Sequence, residues 1–235
     1  MTTITDPEGG LAYLRLLHLA DSALPIGALA HSFGLESLAD AGLLTPARVP
    51  DLLRGYIEEA GVMEAAFCRQ AFRLANGDFS ATRWIAINQR LDARKPSRES
   101  RNGSAALGKQ LLSLALAVGE LGVLEEAWLL SRQAQCPTHH SLAFGLVAGA
   151  LGLDEEPSVL AYLHQSLAGL VSACQRLLPI GQSEAARILW NLKPAMIGAA
   201  RNSRTQAIDD VCCFTPMLDW GAMEHPAITT RLFIC

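Results

Sequence analysis

The side chains able to ligate a metal or move a proton are few, and their spacing suits neither task. His139 and His140 are adjacent, as are Cys212 and Cys213. Neighbours on a helix point to different faces, so neither pair converges on one ion. No H-E-x-x-H pattern occurs, and no Cys/His spacing of a structural zinc site. Ser32 follows His31, but sequence neighbours do not by themselves make the geometry of a nucleophile and its base. G-x-S-x-G, the phosphate-binding loop and G-x-G-x-x-G are all missing. This inventory implies no catalysis by the chain alone, no resident metal and no cofactor. Two other patterns carry more. Gly145 and Gly149 lie four apart in AFGLVAGALG, which puts both on one helix face where another backbone can come close. That pattern suits core helix packing first and a subunit interface second. Arg231, Leu232 and Phe233 close the chain with a guanidinium and two apolar anchors, a combination enriched in interface hot spots.

The elements around these residues read as helices throughout, with proline or glycine at each break. The first spans about Leu11 to Ala20 and a second about Leu29 to Ala41, closed by Gly42. Thr45-Pro46 opens a third, which continues through Met63 to Ala75. Helices follow over Phe79 to Ala93, from a Ser97 cap to Val118, over Val123 to Ala134, and from Pro137-Thr138 to Leu151. Three more run from Pro157 to Leu177, from Gly181 through Leu192, and from Pro194 to about Gln206. From Ala207 to Cys235 the chain holds Pro216, Gly221 and Pro226 and reads as irregular. The expected architecture is all-α: a single helical bundle of about nine to eleven helices over residues 1–206, with an irregular tail over 207–235.

Composition sets outer bounds. The chain has 235 residues, half of them hydrophobic and only 18% charged, with a net charge of −4. That apolar balance implies surface buried against partners as well as a core. The net charge argues against a nucleic-acid binder. The most basic stretch, Arg83 to Arg101, is interleaved with Asp92 and Glu99 and reads as a solvated helix face. No apolar run reaches the length of a membrane span, and the polar opening Met1 to Gly10 does not read as an export signal. Six cysteines without a regular framework are then expected as free thiols in a cytoplasmic protein.

Several blocks, in order, resemble the urease accessory protein UreF family. Near the start, Leu24, Pro25 and Gly27 form a Leu-Pro-x-Gly turn, followed by Ser32, Gly34, Leu35 and Glu36 of a Ser-x-Gly-Leu-Glu helix. Arg94 to Leu112 resembles the family's arginine-rich entry into a long helix. Ala143 to Leu151, Tyr162-Leu163-His164 and Pro179-Ile180-Gly181-Gln182-Ser183 match further blocks. At the end, His225 precedes Arg231-Leu232-Phe233 at the family's spacing. Glu224, Pro226, Thr229, Ile234 and Cys235 depart from the family's usual tail. The resemblance implies a dimeric all-α adaptor without catalytic activity. It would bridge UreD (also called UreH) and the GTPase UreG while nickel is inserted into apo-urease. Ser32, Gly34, Leu35, Glu36, Gly181, Gln182, His225, Arg231, Leu232 and Phe233 are the residues it places at partner surfaces. On this reading the tail is mobile alone and orders against UreD, so its removal should spare the fold. The competing expectation is a small-molecule binder or enzyme with an interhelical pocket using His31, His164 or Glu36.

Overall fold

A computed structural model describes residues 7–119, 122–133 and 136–234. Four sequence expectations fall wholly or partly outside them: the opening segment, the break between Val118 and Val123, the end of the helix at Ala134 and the thiol of Cys235. The described residues form twelve α-helices: α1 (Pro7–Ala20), α2 (Leu35–Asp40), α3 (Val49–Glu58), α4 (Ala60–Asn76), α5 (Ala81–Ala93), α6 (Arg98–Val118), α7 (Gly122–Gln133), α8 (His140–Ala150), α9 (Glu155–Leu177), α10 (Gln182–Asn191), α11 (Lys193–Asn202) and α12 (Pro216–Glu224). Short 3-10 turns span Ala28–Ala30 and His225–Ala227. The fold is all-α, as the periodicity implies.

The bundle is built around α8, which is buried from His140 to Gly149. A helix apolar on every side has no solvent face to offer, so its neighbours must surround it. α4 and α6 flank it, and α9 packs on both α8 and α4. Gly145 and Gly149 set the distance to α4. A Cβ on Gly145 would lie 2.0 Å from the Cys68 carbonyl oxygen, and one on Gly149 would lie 2.6 Å from that of Phe72. The glycine pair therefore serves core packing. Arg69 ties the layer together from inside α4. It donates to Ser203 Oγ at 2.9 Å and the Ala200 carbonyl at 2.7 Å, and it pairs with Glu155 at 2.8 Å and Glu156 at 2.5 Å.

Start signals behave largely as their chemistry dictates. Ser80 and Ser97 each accept a backbone N–H from the third residue onward, capping α5 and α6. Thr45-Pro46 starts a turn, with Arg48 N donating to Thr45 O at 2.9 Å, and α3 proper begins at Val49 with Pro50 in its first turn. Three segments differ from expectation. The helix expected to run on from Thr45-Pro46 to Ala75 breaks at Glu59, which ends α3 and precedes α4. The helix expected over Leu29 to Ala41 is interrupted: Phe33 and Gly34 take left-handed conformations, with φ of 50° and 94°, and α2 begins only at Leu35. The stretch from Ala207 onward contains α12, because Pro216 sits at the head of that helix, where a missing N–H costs nothing. The basic stretch is also not uniformly solvated. Arg94 donates to the carbonyls of Asp209 and Val211, and Lys95 pairs with buried Glu64.

Candidate functional site

Residues 30–36 meet the C-terminal segment. α12 packs on α2 at a glycine crossing formed by Gly34 and Gly221. The crossing turns α2 so that the Glu36 side chain, 5% exposed, points at the returning tail. Its carboxylate accepts the backbone N–H of Leu232 at 2.6 Å and of Phe233 at 3.2 Å, and it meets His225 Nε2 at 2.8 Å. One buried carboxylate thus satisfies two main-chain donors and a ring nitrogen, which answers the cost of burying its charge. Ile234 N donates to Ala30 O at 2.8 Å, so the tail continues along the 3-10 turn. Phe233 is buried, with the Arg176 guanidinium 4.0 Å from its ring centroid. Arg176 also donates to the Leu29 carbonyl. Arg231 curls the approach by donating to Pro226 O at 2.7 Å and Ile228 O at 3.3 Å.

The residues singled out in the sequence divide accordingly. Ser32, Gly34, Leu35, Glu36, His225 and Phe233 are buried and belong to the clasp or the core beneath it. Arg231 and Leu232 are exposed on its outer side. Gly181 and Gln182 are exposed at the start of α10, which packs on α9 and α11. The tail is packed on its own bundle, in place of the free tail expected from the sequence. Outside the clasp the C-terminal segment presents apolar side chains to solvent: Phe214, Met217, Trp220, Met223, Leu232 and Ile234.

Behind the clasp is a cavity with a largely apolar lining and a few polar groups, of which about 110 Å³ is open to water-sized molecules. The Glu64–Lys95 ion pair lies in its lining, with Tyr162 Oη donating to Glu64 Oε2 at 3.4 Å. Burial alone would push Glu64 up, but the charge and hydrogen bond of Lys95 override it and hold the carboxyl below its ordinary range. His140 lines the same space. Burial, followed by smaller opposing effects of Glu64 and Lys95, lowers it to about 4, and burial together with the Lys95 charge lowers neighbouring His139 to about 3. Both rings are neutral at pH 7. Burial pushes the Cys213 thiol up to about 11, which makes it a poor thiolate source. The cavity therefore holds a compensated charge pair beside the neutral ring of His140. Of the three residues expected in an interhelical pocket, His31 lines this cavity, Glu36 is committed to the clasp, and His164 is half-buried on α9 outside the lining. Glu64 and Lys95 escaped the sequence reading. The available signal was a lone acid inside the apolar run AGVMEAAF.

Among the described residues no group of three or more His, Cys, Asp or Glu side chains is placed to hold a metal, and no helix is long and apolar enough to cross a membrane. The fold and the clasp define an all-α protein in which α2 and the C-terminal segment are locked together. The sequence matches the UreF family model over residues 43–193, and the chain belongs to that family. Similar proteins include the urease accessory protein UreF of Actinobacillus pleuropneumoniae, 30% identical over 93% of this chain and 97% of the relative. The urease accessory protein UreF of Nostoc sp. is 30% identical over 99% of this chain and 98% of its own length. That of Bradyrhizobium sp. (strain ORS 278) is 31% identical over 94% and 91%.

Proposed function

We propose that this chain is a urease accessory protein acting as a non-catalytic adaptor in the cytoplasm. It forms a homodimer and bridges UreD (UreH) and the GTPase UreG while nickel, the cargo, is inserted into apo-urease. Family membership supports the urease role. The observation that carries the adaptor reading is the C-terminal segment itself. Glu36 fixes its backbone at Leu232 and Phe233 and the glycine crossing holds α12, while six large apolar side chains along it stay exposed. A soluble chain that orders a surface and leaves it apolar has the makings of a docking site, and ordering it in advance lowers the entropic cost of binding. Arg231 and Leu232 then touch the partner directly, and Gly181 and Gln182 offer a second exposed contact. Ser32, Gly34, Leu35, Glu36, His225 and Phe233 hold that surface in shape, so residues 207–235 form the partner-binding part and 1–206 its support.

The test is co-expression with UreD and UreG followed by size-exclusion chromatography. A three-component peak, lost when Leu232 and Trp220 are both changed to Ala, is the expected result. Co-elution unaffected by that double variant would remove the assigned surface. Failure of any complex to form would remove the adaptor reading.

A further inference from the structure

A second surface differs in chemistry from the apolar one. A groove runs between α6 and the end of α7, with Arg98, Arg101, Ala105 and Lys109 on one wall and Trp128 and Arg132 on the other. Among the described residues none of these four cations pairs with a carboxylate, and what sets the groove apart is that it gathers four of them around a single acid. The chain carries a net charge of −4, so a groove of unpaired cations runs against its composition. Arg101 is half-buried and already oriented, donating to Lys95 O at 2.6 Å and Pro96 O at 3.1 Å. Arg98, Lys109 and Arg132 project from the surface. Asp92 is the one carboxylate in the lining, and it faces His139 Nε2 at 3.2 Å.

Length decides what fits. Arg98 and Lys109 are eleven residues apart on one helix, or about 16 Å at 1.5 Å per residue. A single phosphate is gripped by donors a few ångströms apart and cannot engage both ends. An extended peptide rises about 3.3 Å per residue, so about five residues span the distance. Ala105 leaves room for a backbone between the charged ends, and Trp128 offers a flat apolar wall. A nucleic-acid strand has comparable reach, but the lining offers it a single aromatic ring, Trp128, where strand binding uses several rings for successive bases.

We propose that this groove docks an extended acidic segment of a partner protein, with Arg98, Arg101, Lys109 and Arg132 reading its carboxylates. The inference is independent of the urease reading, since its test needs only the purified full-length chain. Fluorescence anisotropy with a labelled, end-blocked hexaglutamate peptide should show saturable binding that weakens with salt. The double variant Arg98→Glu/Lys109→Glu should lose at least about tenfold in affinity, the scale expected from reversing two contacting charges. Arg54→Glu/Arg83→Glu makes the same change in net charge at exposed sites elsewhere and should leave affinity within about twofold of the parent. Circular dichroism melts establish that both variants fold. Absence of peptide binding, equal loss in both variants, or stronger competition by inorganic phosphate or hexathymidylate than by unlabelled peptide would overturn the proposal.

Discussion

Gly34 and Gly221 cross so closely that neither tolerates a side chain: a Cβ on Gly34 would lie 2.4 Å from the Leu218 carbonyl oxygen, and one on Gly221 would lie 2.4 Å from that of Gly34. Both obstacles are backbone, which cannot swing aside as a flexible side chain would. Gly34 also sits at a φ of +94°, where an L side chain is strained. Gly221 is helical, so alanine there gains about 1 kcal/mol of helix propensity. The crossing should override that gain. Gly221→Ala is expected to destabilise by about 1–3 kcal/mol, the usual scale of overpacking. Urea unfolding measures it, and a stabilised Gly221→Ala protein would mean that α12 is not held against α2 as described.

Glu36 is the residue on which the clasp turns. Glu36→Gln keeps the volume and removes the charge, leaving one carbonyl oxygen for two N–H donors and His225. Hydrogen bonds to a charged group contribute about 1.5–3 kcal/mol each, so the tail should loosen well before the bundle does. The expected outcome is faster hydrogen exchange at the Leu232 and Phe233 amides, with the α8 amides still protected. Unchanged exchange at those two amides would show that Glu36 does not hold the tail.

The all-α class was legible because 3.6-residue periodicity recurs and proline or glycine marks each break. The clasp was only half legible. Gly34, Glu36 and His225 could be singled out, but their mutual contacts join positions 189 residues apart, and no local pattern encodes such a pairing. α12 was hidden because Pro216 and Gly221 read as breakers. One in fact heads the helix, and the other is required by the crossing. Lys95 looked like a solvated charge because its partner, Glu64, lies 31 residues earlier on another helix.

That pair makes a third prediction. The Glu64 and Lys95 side chains are 6% and 13% exposed. Removing one partner leaves the other's charge buried, at a cost of about 3–5 kcal/mol. Glu64→Leu and Lys95→Met should each be strongly destabilised. The double variant should recover to within about 2 kcal/mol of the parent, because replacing both members of a buried pair by apolar groups is often close to neutral. Additive losses in the double-variant cycle would show that the two charges are not coupled.

Stability should also depend on pH in a defined window. His139 and His140 are lowered to about 3 and about 4 by burial, against about 6.5 in the unfolded chain. Between those values the unfolded state binds more protons, so unfolding free energy rises with pH. The contribution is fully present above about pH 6.5 and is lost as pH falls toward 4. Glu64, also lowered, adds a loss beginning near its ordinary carboxylate range. Urea midpoints should be flat from pH 7 to 8 and fall steadily below 6.5. His140→Gln should flatten the slope between pH 6.5 and 4, and an unaltered slope would show that His140 is not buried in neutral form.

The last prediction separates holding the tail from using it. Phe233 is buried under Arg176, while Leu232, one residue earlier, is 67% exposed. Phe233→Ala removes a packed ring, and such changes cost about 3–5 kcal/mol in well-packed cores. Leu232→Ala removes a solvated side chain and should alter stability by less than about 0.5 kcal/mol. Binding should show a different pattern. Leu232→Ala should weaken capture by UreD while the melting temperature stays at the parent value. Deleting Arg231 to Cys235 should lower both, because the segment carries the clasp and the exposed surface together. Melting curves and a UreD pull-down on the same three proteins make the comparison. Full UreD capture by the folded Leu232→Ala protein, alongside a destabilised Phe233→Ala protein, would reduce the tail to an internal clasp with no docking role.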